Sequence, residues 1–348
     1  MTSIVLALAS VAQPDVGPWL SSIRGSQFSV VHAGTSQETW EAEVTTPAPC
    51  DEVIASWKLD DRNFTGIEIF IHPKLDRAGT YSMGKYEVGG VRTSVNHQKD
   101  EVARVATDTL MLKTSAMSFH VSIKPKSGPL GTKPRLESLW LSLVDSKAVH
   151  VPRDPVKAAW GKVLEPPRLA QMNYPNGDKL CSPTAVAMLL GYWSSVLKKP
   201  NVAADVMQVV RGVYDPGWHG TGNWPFNMAF AASKPGMLGY VTRMRDLRDL
   251  EQWTSTGMPV ACSVNHSYLR GKLPSKSDEG HLVVLVGFTP AGDPVFNDPG
   301  RNVVRMIYKR ADFERAWATS GRTVYLVYPQ NFAVPADPGP WDHNRLSL

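Results

Sequence analysis

The stretch QMNYPNGDKLCSPTAVAMLLGYWSSVLKK, residues 171–199, decides how the second half of this chain reads. Cys181-Ser182-Pro183-Thr184 opens a helical run. Ala185, Leu189, Tyr192 and Val196 recur at helical spacing, with Met188, Trp193 and Leu197 beside them. Pro183 suits a first turn, where its missing N–H is not needed. Lys198 and Lys199 suit the last turn, and Pro200 ends it. Cys181 therefore stands at a helix start. Free N–H groups and the helix dipole favour a thiolate there.

Working outward, the pattern predicts further helices over 202–213 and 246–254. Strands are expected at 260–264, 282–288, 294–297, 303–308 and 324–328. Helices first and antiparallel strands after is an α+β order. A thiolate nucleophile needs a base, and the base needs an orienting group. His281 heads the run HLVVLVGF, and Asp298 follows the short run PVFN. A hairpin across 289–293 would bring both to one end, although a slip of one residue would part them. Acyl transfer also needs donors for an oxyanion. The Cys181 backbone N–H and the Gln171 side chain, ten residues upstream, are the candidates. Each residue alone has a plainer reading as a packing, turn or surface residue. The weight lies in the four together, in the order Gln, Cys, His, Asp. Cys50 and Cys262 lack such a context.

The first half reads differently. Ile67, Ile69 and Ile71 alternate with Glu68, Phe70 and His72, and similar period-two runs span 119–124 and 139–144. Turn signals at 60–63, 89–90 and 126–129 separate such runs. Residues 1–148 are thus expected to form an all-β sandwich of jelly-roll type. Pro152, Pro155, Pro166 and Pro167 mark 149–170 as a linker. The second domain is expected over 171–335, with a tail at 336–348.

The 348 residues suffice for two domains, and 43% apolar with 20% charged residues is ordinary for a globular chain. The net charge of +5 is spread evenly, with no Lys/Arg run of the kind that marks a nucleic-acid face. Three cysteines are no disulfide framework and leave room for one bridge at most, such as Cys50 to Cys262. No CxxC pair points to zinc, and His266 with Asp278 and His281 lacks a helix-borne H-E-x-x-H pattern. Neither a metal nor an organic cofactor is expected. No segment has 18 consecutive apolar residues, so no membrane span is expected. The apolar run at 4–12 reads equally as the end of a secretory signal peptide or as a first strand. The first reading implies an extracytoplasmic protein and the second a cytoplasmic one. Most of the eleven tryptophans read as core, with Trp40 and Trp57 the candidates for a sugar-facing platform.

The runs QMNYPNGDKLCSPTAVAMLLGYW (171–193) and GHLVVLVGFTPAGDPVFNDPG (280–300) resemble a known family. They are similar to the bacteriocin-processing, double-glycine leader peptidases and their wider relatives, cysteine peptidase family thirty-nine. That family shares the papain-like fold. The resemblance implies Gln171 as oxyanion donor, Cys181 as nucleophile, His281 as base and Asp298 as orienter. Many members carry Gly after the Cys, where this chain has Ser182, a mild departure. Residues 213–233 and 308–317 resemble one branch of these relatives, which often has an all-β domain ahead. SWKLDD, at 56–61, is similar to that domain. The leader peptidases proper carry transporter helices and an ATPase. This sequence shows neither, and no P-loop, so cleavage of double-glycine leaders is not implied. The resemblance implies a cysteine peptidase acting on a peptide or protein, with cell-wall peptide among the candidate substrates. Two other readings compete: a cell-wall amidase of the NlpC type, and a non-catalytic carbohydrate- or protein-binding protein on a papain-like scaffold.

Overall fold

The computed structural model describes residues 17–33, 37–60, 64–149, 151, 153–274 and 280–343. The run at 4–12, most of the turn at 60–63, Pro152, and Asp278 with Glu279 lie outside the described residues.

The first half is all-β, as its alternation predicts. Its strands are β1 (Trp19–Arg24), β2 (Ser29–Ala33), β3 (Gln37–Leu59), β4 (Gly66–Pro73), β5 (Tyr81–Glu87), β6 (Arg92–Thr93), β7 (Ala103–Ala106), β8 (Thr109–Lys126) and β9 (Leu136–Val144). They form one sheet in the order β1-β9-β3-β8-β4-β5-β6, with β2 on β3 and β7 on β8. Two long strands carry it. The first part of β3 pairs with β2 and β8, and the second with β8 and β9. The register breaks between Thr45 and Cys50, and again before Glu52. Pro47 and Pro49 fall there and cannot donate to the ladder. Alternation places Ile67, Ile69 and Ile71 inside, with Trp57 and Trp140 fully buried beside them. Buried Trp57 cannot meet a sugar, which removes it as a platform. Trp40 is half-buried, and its indole N–H donates to Glu38 at 2.6 Å.

The second half is α+β. Its helices are α1 (Cys181–Leu197), α2 (Val206–Val213), α3 (Trp224–Ala232), α4 (Leu247–Ser255), α5 (His266–Leu269) and α6 (Arg310–Ala318). Its strands are β10 (Met237–Arg243), β11 (Val260–Asn265), β12 (Gly280–Phe288), β13 (Pro294–Asn297), β14 (Arg305–Ile307) and β15 (Thr323–Pro329). The sheet is antiparallel in the order β10-β15-β11-β12-β13-β14. Helix α1 is enclosed over its first turns, with Val186, Leu189, Leu190 and Trp193 buried while Val196 is exposed. A helix apolar all round belongs in a core. The stripe read from the sequence is buried at Ala185 and Leu189, half-buried at Tyr192, and reaches the surface at Val196.

The two halves share one apolar core. Strand β10 lies against the first sheet, where Val241 N donates to Ser56 Oγ at 3.0 Å and Trp140 stacks on Tyr240 at 5.1 Å. Arg243 pairs with Glu52 across the same contact. Each half also sends a buried carboxylate to the other. Asp108 accepts from the Trp224 N–H at 2.8 Å, and Asp215 accepts from the Ser94 N–H at 3.0 Å. The proline-rich stretch is packed rather than loose. Arg153 bonds both Asp246 and Asp249, and Trp160 donates to Glu251. Near the C-terminus, Asp342 accepts from Trp140 Nε1 at 2.9 Å, and Trp341 is buried against Trp253. Cys50, Cys181 and Cys262 are all free, so the bridge left open by the sequence is not made.

Candidate active site

The short helical turns Gln171–Asn173 and Gly177–Lys179 lead the chain into α1, and Cys181 is its first residue. Leu180 provides no side-chain cap, so the first N–H groups of the helix stay available beside the sulfur. Strand β12 presents His281 opposite Val264 of β11. Strand β13 returns along β12 with Asn297 opposite Val284, and the chain then turns at Asp298. A register shift between Leu285 and Gly287 separates this pairing from a simple hairpin. His281 and Asp298 still meet at one end, with Nε2 donating to Oδ1 at 2.7 Å.

That bond fixes the imidazole. Its Nε2 is engaged by Asp298, which leaves Nδ1 for the hydrogen bond to Cys181. Burial pushes the Cys181 thiol up, but the hydrogen bond and charge of His281, with backbone bonds from Leu282 and Ser182, bring it below its ordinary value. Burial likewise opposes a charge on His281. The hydrogen bonds to Asp298 and Cys181 and their charges overcome it and raise the imidazole to about 10. Asp298 is fully buried, which would raise its carboxyl. His281, then Tyr308 and the Gly300 N–H, hold it down at about 2. Tyr308 donates to Oδ2 at 2.6 Å and Gly300 to Oδ1 at 2.9 Å. Gly300 allows this close approach, since a Cβ there would stand 3.0 Å from His281 Cε1 and press on the ring.

Gln171 is buried near the same centre. Its backbone N–H donates to Pro299 O at 2.8 Å, directly after Asp298. Its Nε2 donates to Gly177 O at 2.7 Å, and its Oε1 has no partner among the described residues. Cys181, His281 and Asp298 thus form one hydrogen-bonded chain, and Gln171 is tied by its backbone to Pro299, next to Asp298.

Two neighbours were not assigned there. Tyr308 lies at the end of β14, and no spacing rule ties it to Asp298. His266 opens α5, and its ring lies on that of His281, with centroids 4.5 Å apart and planes at 34°. Burial, then the charges of His281 and Arg270, lower His266 to about 4, so it meets the His281 imidazolium as a neutral ring. Ligand-type atoms of His266, His281 and Asp298 lie within 4.8 Å of one another. Both Asp298 oxygens are already bonded, and the two rings stack instead of converging. The cluster is built as a hydrogen-bonded unit and not as a metal cradle. His219 sits at a surface turn with φ of 58°.

Residues 163–325 match the profile of the Peptidase_C39 like family, and residues 28–140 match that of the Peptidase C39 N-terminal domain. The chain joins a C39-like domain to the C39 N-terminal domain. Among solved structures, a protein from Bacillus anthracis, described provisionally as a C39-like peptidase, is 19% identical with a TM-score of 0.37. The match covers 48% of this chain and 98% of that one. A structure of infectious bursal disease virus, Gx strain, is 14% identical with a TM-score of 0.20, covering 43% of this chain and 39% of that one. Neither overlay is close enough to bear on function. No curated protein matches the chain. The C39-like domain carries the Cys181, His281 and Asp298 cluster, and the strand-rich N-terminal domain abuts it through Asp108 and Ser94. Among the described residues, no helix is long and apolar enough to cross a membrane.

Tyr308→Phe tests the support of the C39-like centre. The lost donor weakens the Asp298 carboxylate by about 1–2 kcal/mol. The Asp298 carboxyl then rises and, with Oδ2 no longer tied, it orients the His281 ring less firmly. Alkylation of Cys181 near pH 5 should slow by roughly tenfold, since about 1.4 kcal/mol is a factor of ten, while the thermal midpoint stays close to that of the parent.

Proposed function

We propose that the protein is a cysteine peptidase that cleaves peptide bonds through an acyl-enzyme. One observation carries the reading. A helix-start thiol is hydrogen-bonded to an imidazole whose other nitrogen is held by a buried carboxylate. The Cys181 sulfur attacks the carbonyl carbon, forming a C–S bond. The C–N bond breaks as the His281 imidazolium gives its proton to the leaving amine. A water then gives a proton to His281 and attacks the thioester, and the thiolate departs. Asp298 holds the ring and its charge throughout. The Cys181 backbone N–H and the second Nε2 hydrogen of Gln171 are the donors proposed for the oxyanion. The match to the C39-like family supports a peptidase-type function and favours a peptide or protein substrate over the binding-protein alternative. Asp298 as orienter, with His266 stacked and not bonded to His281, favours this reading over an NlpC-type amidase.

The test is alkylation of each cysteine by iodoacetamide across pH, read by peptide mapping. A free thiol titrates near 8.5, whereas a His-paired one titrates several units lower. Cys181 alone should react rapidly at about pH 5–6, and His281→Ala should move its midpoint up by several units. Cys50 and Cys262, whose thiols burial pushes up, should stay inert. A Cys181 as slow as those two, or one indifferent to His281, sinks the proposal.

A further inference from the structure

The segment YDPGWHGTGNW, residues 214–224, has no part in the chemistry above, yet it is tightly constrained. Asp215 N and Gly220 O, and Gly220 N and Asp215 O, bond at 2.9 and 3.3 Å and close a tip of Pro216, Gly217, Trp218 and His219. The Asp215 carboxylate is fully buried and accepts from Ser94 N, Gly217 N and Asn223 Nδ2. Ser94 belongs to the N-terminal domain, and Asn96 of that domain donates to Gly217 O. A Cβ on Gly217 would stand 2.5 Å from Thr93 Oγ1, so only glycine lets the two domains meet here. A Cβ on Gly220 would stand 2.6 Å from the Trp218 ring, and one on Gly222 3.0 Å from it, so the benzo ring packs closely on the backbone of both glycines. Trp218 is nevertheless 46% exposed, and Tyr214, at the start of the same segment, is 43% exposed. Thr221 ties the loop to the nucleophile's approach, since its Oγ1 donates to Lys179 O at 2.9 Å, two residues before Cys181.

We infer that Trp218 is the wall of a substrate subsite, held in place jointly by both domains, that receives a large apolar side chain near the scissile bond. The inference rests on the peptidase reading above and names the substrate feature that site selects. An exposed indole normally costs rotamer freedom when it orders on a ligand. Here glycine backing and a buried carboxylate have ordered it beforehand, which is how binding sites spare that cost. The attachment at Lys179 tethers it to the nucleophile, since Trp218 is three residues from Thr221 and Lys179 two from Cys181, a reach of at most five residues of extended chain at about 3.3–3.6 Å each plus one hydrogen bond. The N-terminal domain thereby acquires a role, fixing the loop through Ser94 and Asn96 without touching the reacting atoms.

Two measurements on the full chain test this. The first compares peptidyl chloromethyl ketones that carry a single Phe at each of the five positions nearest the warhead in turn with the reagent that carries Gly there, with iodoacetamide as a control for the thiolate. At one of these positions the Phe reagent should modify Cys181 at least about tenfold faster, the order of one apolar group in a pocket. Trp218→Ala should bring the two rates within about twofold of each other, leave the iodoacetamide rate unchanged, and Trp218→Tyr should keep most of the preference. The second measures equilibrium binding of matched Phe- and Gly-containing peptide amides to Cys181→Ala, with and without Trp218→Ala. A Phe preference that Trp218→Ala abolishes supports the subsite even if Cys181 proves unreactive, in which case only the peptidase reading falls. No preference in the parent, or a preference that survives Trp218→Ala, overturns the subsite whatever the thiol does.

Discussion

Asp298→Asn should lower the turnover of a cleaved peptide by about ten-thousandfold, the scale seen when the orienting carboxylate of a triad loses its charge. The shape of the site can survive the change. The asparagine oxygen can take the Oδ1 position and accept from His281 Nε2 and Gly300 N. Its amide can donate to a Tyr308 hydroxyl that has turned to accept. What is lost is the negative charge that holds His281 at about 10. The signs follow. Without the carboxylate the His281 value falls, so the alkaline limb of the Cys181 alkylation profile moves down. The imidazolium is also what lowers the thiol, so the acid limb moves up. The window in which thiolate and imidazolium coexist narrows from both sides. An unchanged profile in a folded Asp298→Asn protein would falsify the assignment of Asp298. Stability follows the same shifts. Asp298, depressed from 3.8 to about 2, contributes above the higher value and loses that contribution as the pH falls toward the lower. His281, raised from 6.5 to about 10, contributes below 6.5 and loses it as the pH rises through about 10. The parent should therefore be most stable relative to Asp298→Asn between about pH 4 and 6.5.

The meeting of Cys181, His281 and Asp298 was legible because each sits at an element boundary that leaves a mark. Pro183 and the lysine pair frame α1, and the apolar run after His281 ends in a turn before Asp298. Tyr308 and His266 left no such mark. Tyr308 reaches Asp298 only because β14 pairs with β13. His266 reaches His281 only because β11 pairs with β12 and places Val264 opposite it. Both are facts of register, which a single sequence does not fix when strands are buried on both faces. Strand β10 and helix α3 were missed for a related reason. MLGYVTR and WPFNMAFAA are buried against the first domain as well as the second, so neither carries the polar face that periodicity detects. The all-β first half was readable from alternation, whereas the length of β3, which runs through two prolines, was not.

Phe226→Ala should destabilise the whole molecule by about 3–5 kcal/mol, the usual cost of emptying a buried aromatic site. Phe226 belongs to α3 of the C39-like domain and is fully buried. Its partners are Trp57, edge-on at 6.1 Å, and Tyr86 at 6.0 Å, both in the first domain. Alanine there leaves a cavity between domains that neither can close alone, because the lining strands β3 and β5 are fixed by their own ladders. Two buried thiols report on the two halves: Cys50 in β3 and Cys262 in β11, both 0% exposed. In a Cys181→Ser background, urea should expose both to a thiol reagent over one transition. Phe226→Ala should lower the midpoint for both by the same amount at unchanged slope. If Cys262 became reactive while Cys50 stayed protected, or the reverse, the shared core would be two cores in contact. A single transition has a consequence for the site as well. Helix α3 begins at Trp224, whose N–H is held by Asp108, and it follows Asn223, which holds Asp215 and through it the Trp218 loop. The packing that joins the domains and the loop that faces substrate then stand or fall together. Phe226→Ala, far from Cys181 in sequence, should weaken the preference for the Phe-bearing reagent before it affects the thiolate.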